Sequence, residues 1–172
     1  MKINVAQLLK QPPGTSRWYD LSEEIRGIDD DLEIGAPLTG PLKMIRTTQG
    51  VLATADLRTT VQLECCRCLE PASTTIELEI EEEFHPSVDI HTGAALPVTE
   101  GNEEATMIDA HHTLDLTEIV RQAIFLALPM HPLCRQDCAG LCAQCGQNLN
   151  MAKCTCTSEA VEPRLEVLRQ LL

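Results

Sequence analysis

Six cysteines lie within 23 residues, and this cluster constrains the possible fold more than any other feature of the sequence. They are Cys134, Cys138, Cys142, Cys145, Cys154 and Cys156. Their neighbours include Gly, Asn and Lys, which is unlike the surroundings of cysteines that pack in a core. The chain has nine cysteines, and its first residues contain no apolar run typical of a secretion signal. The sequence therefore predicts a metal site rather than a disulfide framework.

The strongest part of the cluster is the turn Cys142-Ala143-Gln144-Cys145-Gly146. In a C-x-x-C-G turn the two sulfurs converge, and the glycine permits the positive φ that the turn needs. Zinc accepts four thiolates in a tetrahedron, so this turn supplies half a site. Cys154 and Cys156 are the nearest candidates for the other half. An iron–sulfur cluster accepts the same ligands, but such a turn followed by a short hairpin favours zinc.

A second C-x-x-C pair, Cys65 and Cys68, ends a long predicted strand. We predict that it meets Cys134 and Cys138 to form a second four-thiolate site. Such a clasp would close a loop of about 65 residues, which is worth roughly 4 kcal/mol in the chain-entropy view of cross-links. Side-chain alternation would then point Cys66 away from the site. The alternative is one zinc bound by some other four of the eight cysteines, so the sequence predicts one or two Zn²⁺ ions.

The chemistry of such a site indicates a binding protein rather than an enzyme. Four thiolates fill the coordination shell of zinc and leave no position for water or substrate. The sequence contains no zinc-protease motif, nucleophile elbow or phosphate-binding loop. His131 lies near the cluster and is interpreted as a surface histidine. We therefore expect no catalytic activity and no small-molecule substrate.

Alternation of apolar and polar residues predicts an antiparallel sheet in the first half of the chain. The clearest strands are Val51–Leu63 and Thr75–Phe84. In the second of these, isoleucine and leucine occupy one face and glutamate occupies the other. Further strands are predicted at Lys2–Leu9, Arg17–Leu21, Leu32–Ile34 and Leu42–Thr47.

Helical periodicity predicts a helix over residues 116–128 that is buried nearly all round, Phe125 and Leu126 included. Asp115 is interpreted as its N-cap, with Glu118 completing a capping box. Pro129 ends it.

A last short helix is predicted to begin at Pro163 and to bury Leu165, Leu168 and Leu172. The predicted fold class is α+β. It comprises a mainly antiparallel β domain with one buried helix (1–130) and a cysteine-rich zinc module with the short terminal helix (131–172).

The charge of the chain is distributed unevenly. The net charge is -13, and residues 68–120 hold thirteen acidic residues without a single Lys or Arg. An acidic face of this kind usually serves solubility, and the alternative is a docking surface for a basic partner. Either flanking part of the chain carries enough cations for a local nucleic-acid contact. Only four aromatic residues are present, too few for a base-stacking platform. No apolar run approaches the roughly 20 residues of a membrane helix, so we expect no membrane contact and a cytoplasmic location.

The order of these motifs resembles a known family. The run Leu63-Glu64-Cys65-Cys66-Arg67-Cys68-Leu69-Glu70-Pro71 is followed by the helix with Leu128-Pro129, the C-terminal cysteines with Asn148-Leu149-Asn150, and Glu162-Pro163-Arg164. This pattern resembles the YceD family of large ribosomal RNA subunit accumulation proteins. The resemblance implies a non-enzymatic cytoplasmic protein that large-subunit ribosomal RNA needs to accumulate. The resemblance also implies that the eight cysteines named above are those of the family's motif and that Cys66 is not part of it.

Three functional hypotheses follow. The first is a factor in large ribosomal subunit biogenesis that binds ribosomal RNA or a large-subunit ribosomal protein, with Arg67, Arg135 and Lys153 available for phosphate contacts. The second is a zinc–thiolate redox switch or chaperone-like protein, in which oxidation releases the metal. The third, a thiol–disulfide enzyme, lacks the expected C-x-x-C motif in a βαβ unit.

Overall fold

The computed structural model describes residues 1–25, 32–97 and 104–156. In chain order the elements are β1 (Lys2–Asn4), α1 (Ala6–Leu9), β2 (Ser16–Glu23), β3 (Glu33–Ile34), β4 (Leu38–Arg46), β5 (Val51–Glu64), β6 (Pro71–Pro86), a 3-10 turn (Glu104–Thr106), β7 (Met107–Ile108), β8 (Thr113–Asp115) and α2 (Thr117–Ala127).

A single main sheet organises the described residues. Its strand order is β2-β4-β5-β6-β7, β3 pairs with β5, and β1 pairs with β8 in a separate two-stranded ribbon. All pairs are antiparallel except β6 with β7. β5 and β6 form a long hairpin in unbroken register from Val51 opposite Phe84 to Glu64 opposite Pro71. This hairpin carries residues 65–70 to one end of the sheet.

One face of the sheet is buried and the other faces solvent, as the period-two alternation predicts. On β6, Ile76, Leu78 and Ile80 are buried, whereas the glutamates between them are exposed. α2 packs against the buried face through Ile124 and its neighbours. The core is aliphatic, with Phe84 as its fully buried aromatic residue. The prediction of a mainly β protein with few helices is therefore confirmed.

The prediction of a strand over Lys2–Leu9 is wrong in its second half. The strand ends at Asn4, and residues 6–9 form the short helix α1. Val5, Leu8 and Leu9 are all buried. Their i, i+3, i+4 spacing places them on one side of a helical turn and explains why this segment is not extended.

The prediction that the helix at 116–128 is buried nearly all round is also wrong. α2 spans Thr117–Ala127, and Leu128 is already extended. Leu126 is 88% exposed and Phe125 is 40% exposed. α2 lies on one face of the sheet, and no other described element covers its outer side, so the buried stripe is the one containing Ile119, Val120 and Ile124.

The start of α2 differs from the predicted capping box, because the N-cap is Leu116 rather than Asp115 and makes no side-chain capping hydrogen bond. The carboxylate of Asp115 accepts a hydrogen bond from the Thr117 backbone N–H at 3.0 Å. Glu118 does not reach back to the cap. It instead accepts hydrogen bonds from Arg121 and Gln122 one turn further on, because i, i+3 and i, i+4 partners are neighbours on the helix surface.

The predicted terminal helix, with Leu165, Leu168 and Leu172, lies outside the described residues. The division into domains 1–130 and 131–172 stays a prediction.

Candidate metal centre

The turn between β5 and β6 positions the first pair of cysteines. The Cys65 backbone N–H donates to the Glu70 carbonyl at 2.9 Å, and the Leu69 N–H donates to the Cys65 carbonyl, also at 2.9 Å. Leu69 has a φ of 62°, which lets the chain reverse sharply after Cys68. Cys65 and Cys68 are buried by this turn, whereas Cys66 between them is exposed.

The segment after α2 crosses this turn and is tied to it by backbone hydrogen bonds. The Cys66 N–H donates to the Pro132 carbonyl at 2.9 Å, and the Leu141 N–H donates to the Arg67 carbonyl at 3.0 Å. Gly140, with a φ of 76°, lets the two backbones come together, since a Cβ there would lie 3.1 Å from the Arg67 carbonyl oxygen. These contacts bring residues 134 and 138 to the end of the hairpin.

The first tetrad consists of Cys65, Cys68, Cys134 and Cys138, whose sulfurs all lie within 4.8 Å of one another. The Cys65 and Cys138 sulfurs are 3.8 Å apart, and the Cys68 and Cys134 sulfurs are 3.6 Å apart. A zinc tetrahedron with Zn–S bonds near 2.3 Å has S–S edges of about 3.8 Å. A disulfide needs about 2.05 Å. The spacing therefore matches a four-thiolate metal site and not a pair of disulfides.

The second tetrad consists of Cys142, Cys145, Cys154 and Cys156, and its sulfurs meet the same 4.8 Å limit. Its first half is the predicted C-x-x-C-G turn. The Gly146 N–H donates to the Cys142 carbonyl at 2.9 Å, and Gly146 adopts the positive φ of 72°. This tetrad is more open than the first, because its cysteines are half-buried or exposed.

The thiols of each tetrad have divergent pKa values. The backbone N–H of Cys134 is the largest of the effects that lower the pKa of Cys65 to about 6. Desolvation and the neighbouring Cys68 raise the pKa of Cys134 to about 12. In the second tetrad, backbone N–H groups of Cys145 and Gln144 lower the pKa of Cys142 to about 6. The adjacent Cys145 thiol and burial raise the pKa of Cys156 to about 12.

Interaction among the thiols adds to these effects, since four sulfurs this close do not ionise together without a compensating charge. A bound divalent cation would supply that charge and displace the remaining protons.

Asn150, which lies between Cys145 and Cys154 in the chain, contacts the first tetrad, a role that sequence reasoning missed. Its side-chain N–H donates to the Cys138 sulfur at 3.3 Å and is the largest effect lowering the pKa of Cys138. Its side-chain oxygen accepts from the Ala139 N–H at 2.8 Å and from Arg135 at 2.7 Å. The only signal in the sequence is the Asn148-Leu149-Asn150 motif, which carries no spacing rule that points to a thiolate.

The eight predicted cysteines thus meet in the two groups of four that the sequence suggested. That they bind metal stays a prediction. Two of the three cations proposed for phosphate contacts are engaged near the tetrads. Arg67 donates to the Cys138 carbonyl at 2.9 Å, and Arg135 contacts Asp137 at 3.5 Å. Within residues 1–25, 32–97 and 104–156, no helix has the length and apolar character needed to cross a membrane.

The amino-acid sequence matches a known protein family. A family model described as "Large ribosomal RNA subunit accumulation protein YceD" matches residues 53–172. An uncharacterized protein of Mycobacterium tuberculosis is 30% identical over 176 residues, which cover 100% of this chain and 81% of the relative.

Two plant relatives carry a more informative name. They are both named "Large ribosomal RNA subunit accumulation protein YCED homolog 1, chloroplastic". The one from Zea mays is 30% identical over 128 residues, covering 62% of this chain and 44% of the relative. The one from Arabidopsis thaliana is 26% identical over 152 residues, covering 75% of this chain and 46% of the relative.

No solved structure matches the chain. The matched residues 53–172 include all eight cysteines of the two tetrads. The chain therefore belongs to the YceD family of large ribosomal RNA subunit accumulation proteins.

Proposed function

We propose that this protein is a non-enzymatic factor in large ribosomal subunit biogenesis, and that it holds two structural zinc ions. The family membership supports the link to large-subunit ribosomal RNA. The observation that carries the zinc assignment is the pair of four-cysteine groups, since each has the ligand number and sulfur spacing of a tetrahedral site.

The zinc ions in this proposal stabilise the fold and perform no chemistry. A four-thiolate site has no open position for a substrate or an activated water. The first ion would clasp the β5–β6 hairpin to the segment that follows α2, and the second would hold residues 142–156 in their hairpin. The function then lies on the protein surface that these ions organise, through binding of ribosomal RNA or of a large-subunit ribosomal protein.

Gene replacement in the host tests this proposal, and the chain offers a matched pair of variants. Cys65→Ser removes a ligand of the first tetrad, whereas Cys66→Ser changes the exposed cysteine next to it. We expect loss of the gene to lower the ratio of large-subunit to small-subunit ribosomal RNA. The native chain and Cys66→Ser should restore the ratio, and Cys65→Ser should not. Metal analysis should find two zinc ions per chain in Cys66→Ser and one in Cys65→Ser.

An unchanged ribosomal RNA ratio after gene loss would refute the role in subunit biogenesis. The redox-switch alternative makes a different prediction, because it requires zinc to leave on oxidation. Zinc that stays bound under mild peroxide would count against the switch and for a structural metal.

A further inference from the structure

The outer edge of β6 is open along most of its length. On one side β6 pairs with β5 through its whole register down to Pro71. On the other side, among the described residues, it meets only β7, at His85 and Pro86. Alternate residues of an antiparallel strand direct their N–H and C=O groups to opposite sides. Residues 71–84 therefore present about 45 Å of backbone with outward hydrogen-bonding groups that no described strand satisfies.

A groove runs between this edge and α2. It is lined by six consecutive residues of β6, Glu77–Glu82, and by Ala123, Leu126 and others of α2. Successive side chains of a strand point to opposite faces, so a wall made of consecutive residues is the edge of the strand and not one of its faces. Leu126, 88% exposed, gives the helix side of the groove an apolar surface.

The groove is strongly negative. Within the described part of the chain, Glu79, Glu81 and Glu82 are exposed and form no ion pair. Glu79 also lies directly opposite Asp56 of β5, a like-charge pair that destabilises the sheet unless a cation neutralises it. Glu77 has a cation of its own, Arg58 at 2.7 Å. Lys43 of β4 lines a cavity together with Glu79 and Glu81 but forms no ion pair with either. These carboxylates, beside the middle of the open edge, therefore lack a directly paired cation among the described residues.

We propose that this edge binds an extended, Lys- and Arg-rich segment of a partner protein, which adds to the sheet as a strand next to β6. Main-chain hydrogen bonds to the open edge would give affinity. Side chains of the added strand alternate between two faces. Those on the outer face would reach Glu79 and Glu81, and those on the helix side would contact Ala123 and Leu126. The preferred segment thus alternates basic and apolar residues.

A second copy of the chain is a poor occupant of the same edge, because edge-to-edge pairing would bring two rows of glutamate together. Residues 157–172 of the chain are a poor match as well, since they carry three acidic residues against two arginines. The partner that complements the charge is a basic polypeptide. This inference rests on the proposed function, which names ribosomal RNA and a ribosomal protein as candidate partners. The inference selects the protein.

Titration of the zinc-loaded full chain with designed peptides tests the proposal. The probe is a twelve-residue peptide of alternating lysine and valine. There are three controls. The first is a peptide that alternates glutamate and valine, the second is a peptide of six lysines followed by six valines, and the third is a uridine twelve-mer. We expect binding of the alternating basic peptide, weakening as salt is added. Hydrogen exchange at alternate amides of residues 77–82 should slow about tenfold or more on saturation. The controls should leave this exchange unchanged.

Substitutions locate the site. Glu79→Lys with Glu81→Lys should weaken peptide binding about tenfold or more, because charge complementarity is reversed. The same reversal on β2, at the opposite edge of the sheet, is the matched control: Asp20→Lys with Glu23→Lys should leave binding within about twofold. Leu126→Ala should weaken binding about fivefold through lost apolar contact.

Equal binding to both lysine double variants would overturn the proposal. So would edge amides that are already protected in the free chain, either as a monomer or in a dimer, since the edge would then have another occupant. Protection of these amides by the RNA probe would overturn it too. Failure of the proposed function has a different signature, an unchanged ribosomal RNA ratio after gene loss with peptide binding intact.

Discussion

Adjacent cysteines in one turn have opposite surroundings. Cys65 and Cys68 are buried with their sulfurs turned into the first tetrad, while Cys66 is exposed. Cys65 and Cys68 lie in a small buried cluster with Cys138, against which Leu133 and Leu141 pack, and Cys66 is not part of this cluster. Asn150 then adds a hydrogen bond to the Cys138 sulfur from a residue that belongs to the neighbouring hairpin. Partners outside the ligand set orient thiolate ligands and tune their basicity.

At the residue scale, we predict that Asp115 makes the free energy of unfolding depend on pH in the acidic range. Although desolvation opposes it, hydrogen bonds from the Thr117 hydroxyl and N–H hold the pKa of this carboxyl below 3.8. A carboxyl group whose pKa is lower in the folded state than in the unfolded state stabilises the protein at pH values above its unfolded-state pKa. This stabilisation is lost as the pH falls through the folded-state pKa. We expect Asp115→Ala to lower the free energy of unfolding at pH 7 by about 1 kcal/mol.

Urea unfolding at pH 7 and at pH 3 checks this, with Asp115→Asn as the control that keeps an oxygen acceptor without the charge. The difference between the native chain and Asp115→Asn should shrink at pH 3. An equal difference at both pH values would contradict the prediction.

At the scale of the elements, α2 illustrates how a helix is partitioned between core and surface. Its apolar residues extend beyond the stripe that the sheet can cover, so Leu126 projects into the groove beside β6. The apolar content of the helix predicts burial on every side, but the number of covering layers decides how much is buried. Among the described residues the sheet covers one side of α2, and three residues of the helix, Ile119, Val120 and Ile124, are buried.

Two substitutions in α2 separate these surroundings. Ile124→Ala removes a side chain that is 0% exposed and should lower the free energy of unfolding by about 2–5 kcal/mol, through lost burial and the cavity left behind. Leu126→Ala, two residues away, should change it by less than about 0.5 kcal/mol. Chemical denaturation of both variants measures the difference. Similar losses in the two variants would show that Leu126 is covered in solution.

At the scale of the whole molecule, two apolar clusters of unequal size hold the described residues together. The large one joins the sheet, α1 and α2. The small one contains Cys65, Cys68, Ala72 and Cys138, with Leu133 and Leu141 packed against it. So few apolar residues bury too little surface to stabilise a module by themselves. We therefore expect the segment from 132 to 156 to depend for its stability on the zinc ions proposed above, whereas the sheet should not.

Removal of the metal should consequently unfold one part of the protein before the other. With a strong zinc chelator we expect amides in residues 132–156 to lose hydrogen-exchange protection, while the paired amides of β5 keep theirs. Mass spectrometry of exchanged fragments, with zinc content measured in parallel, follows both regions. Restored protection on adding zinc is the control. Loss of protection in β5 at the same chelator concentration would contradict a separately stabilised sheet.

The sequence by itself determined the main strands and indicated the eight cysteines that meet in the two tetrads. Alternation over Val51–Leu63 depends only on the two-residue period of a strand facing one core. The short C-x-x-C spacings bring sulfurs together locally, whatever the rest of the fold does.

Only the tertiary structure decided what depends on contacts between distant residues. The sequence suggested that Cys65 and Cys68 join Cys134 and Cys138 but left another grouping open, and backbone hydrogen bonds across about 70 residues decide between them. The exposure of Leu126 depends on how many layers cover α2. The open edge of β6 depends on which strands reach it. These properties follow from the packing of separate elements, and no local pattern in the sequence records them.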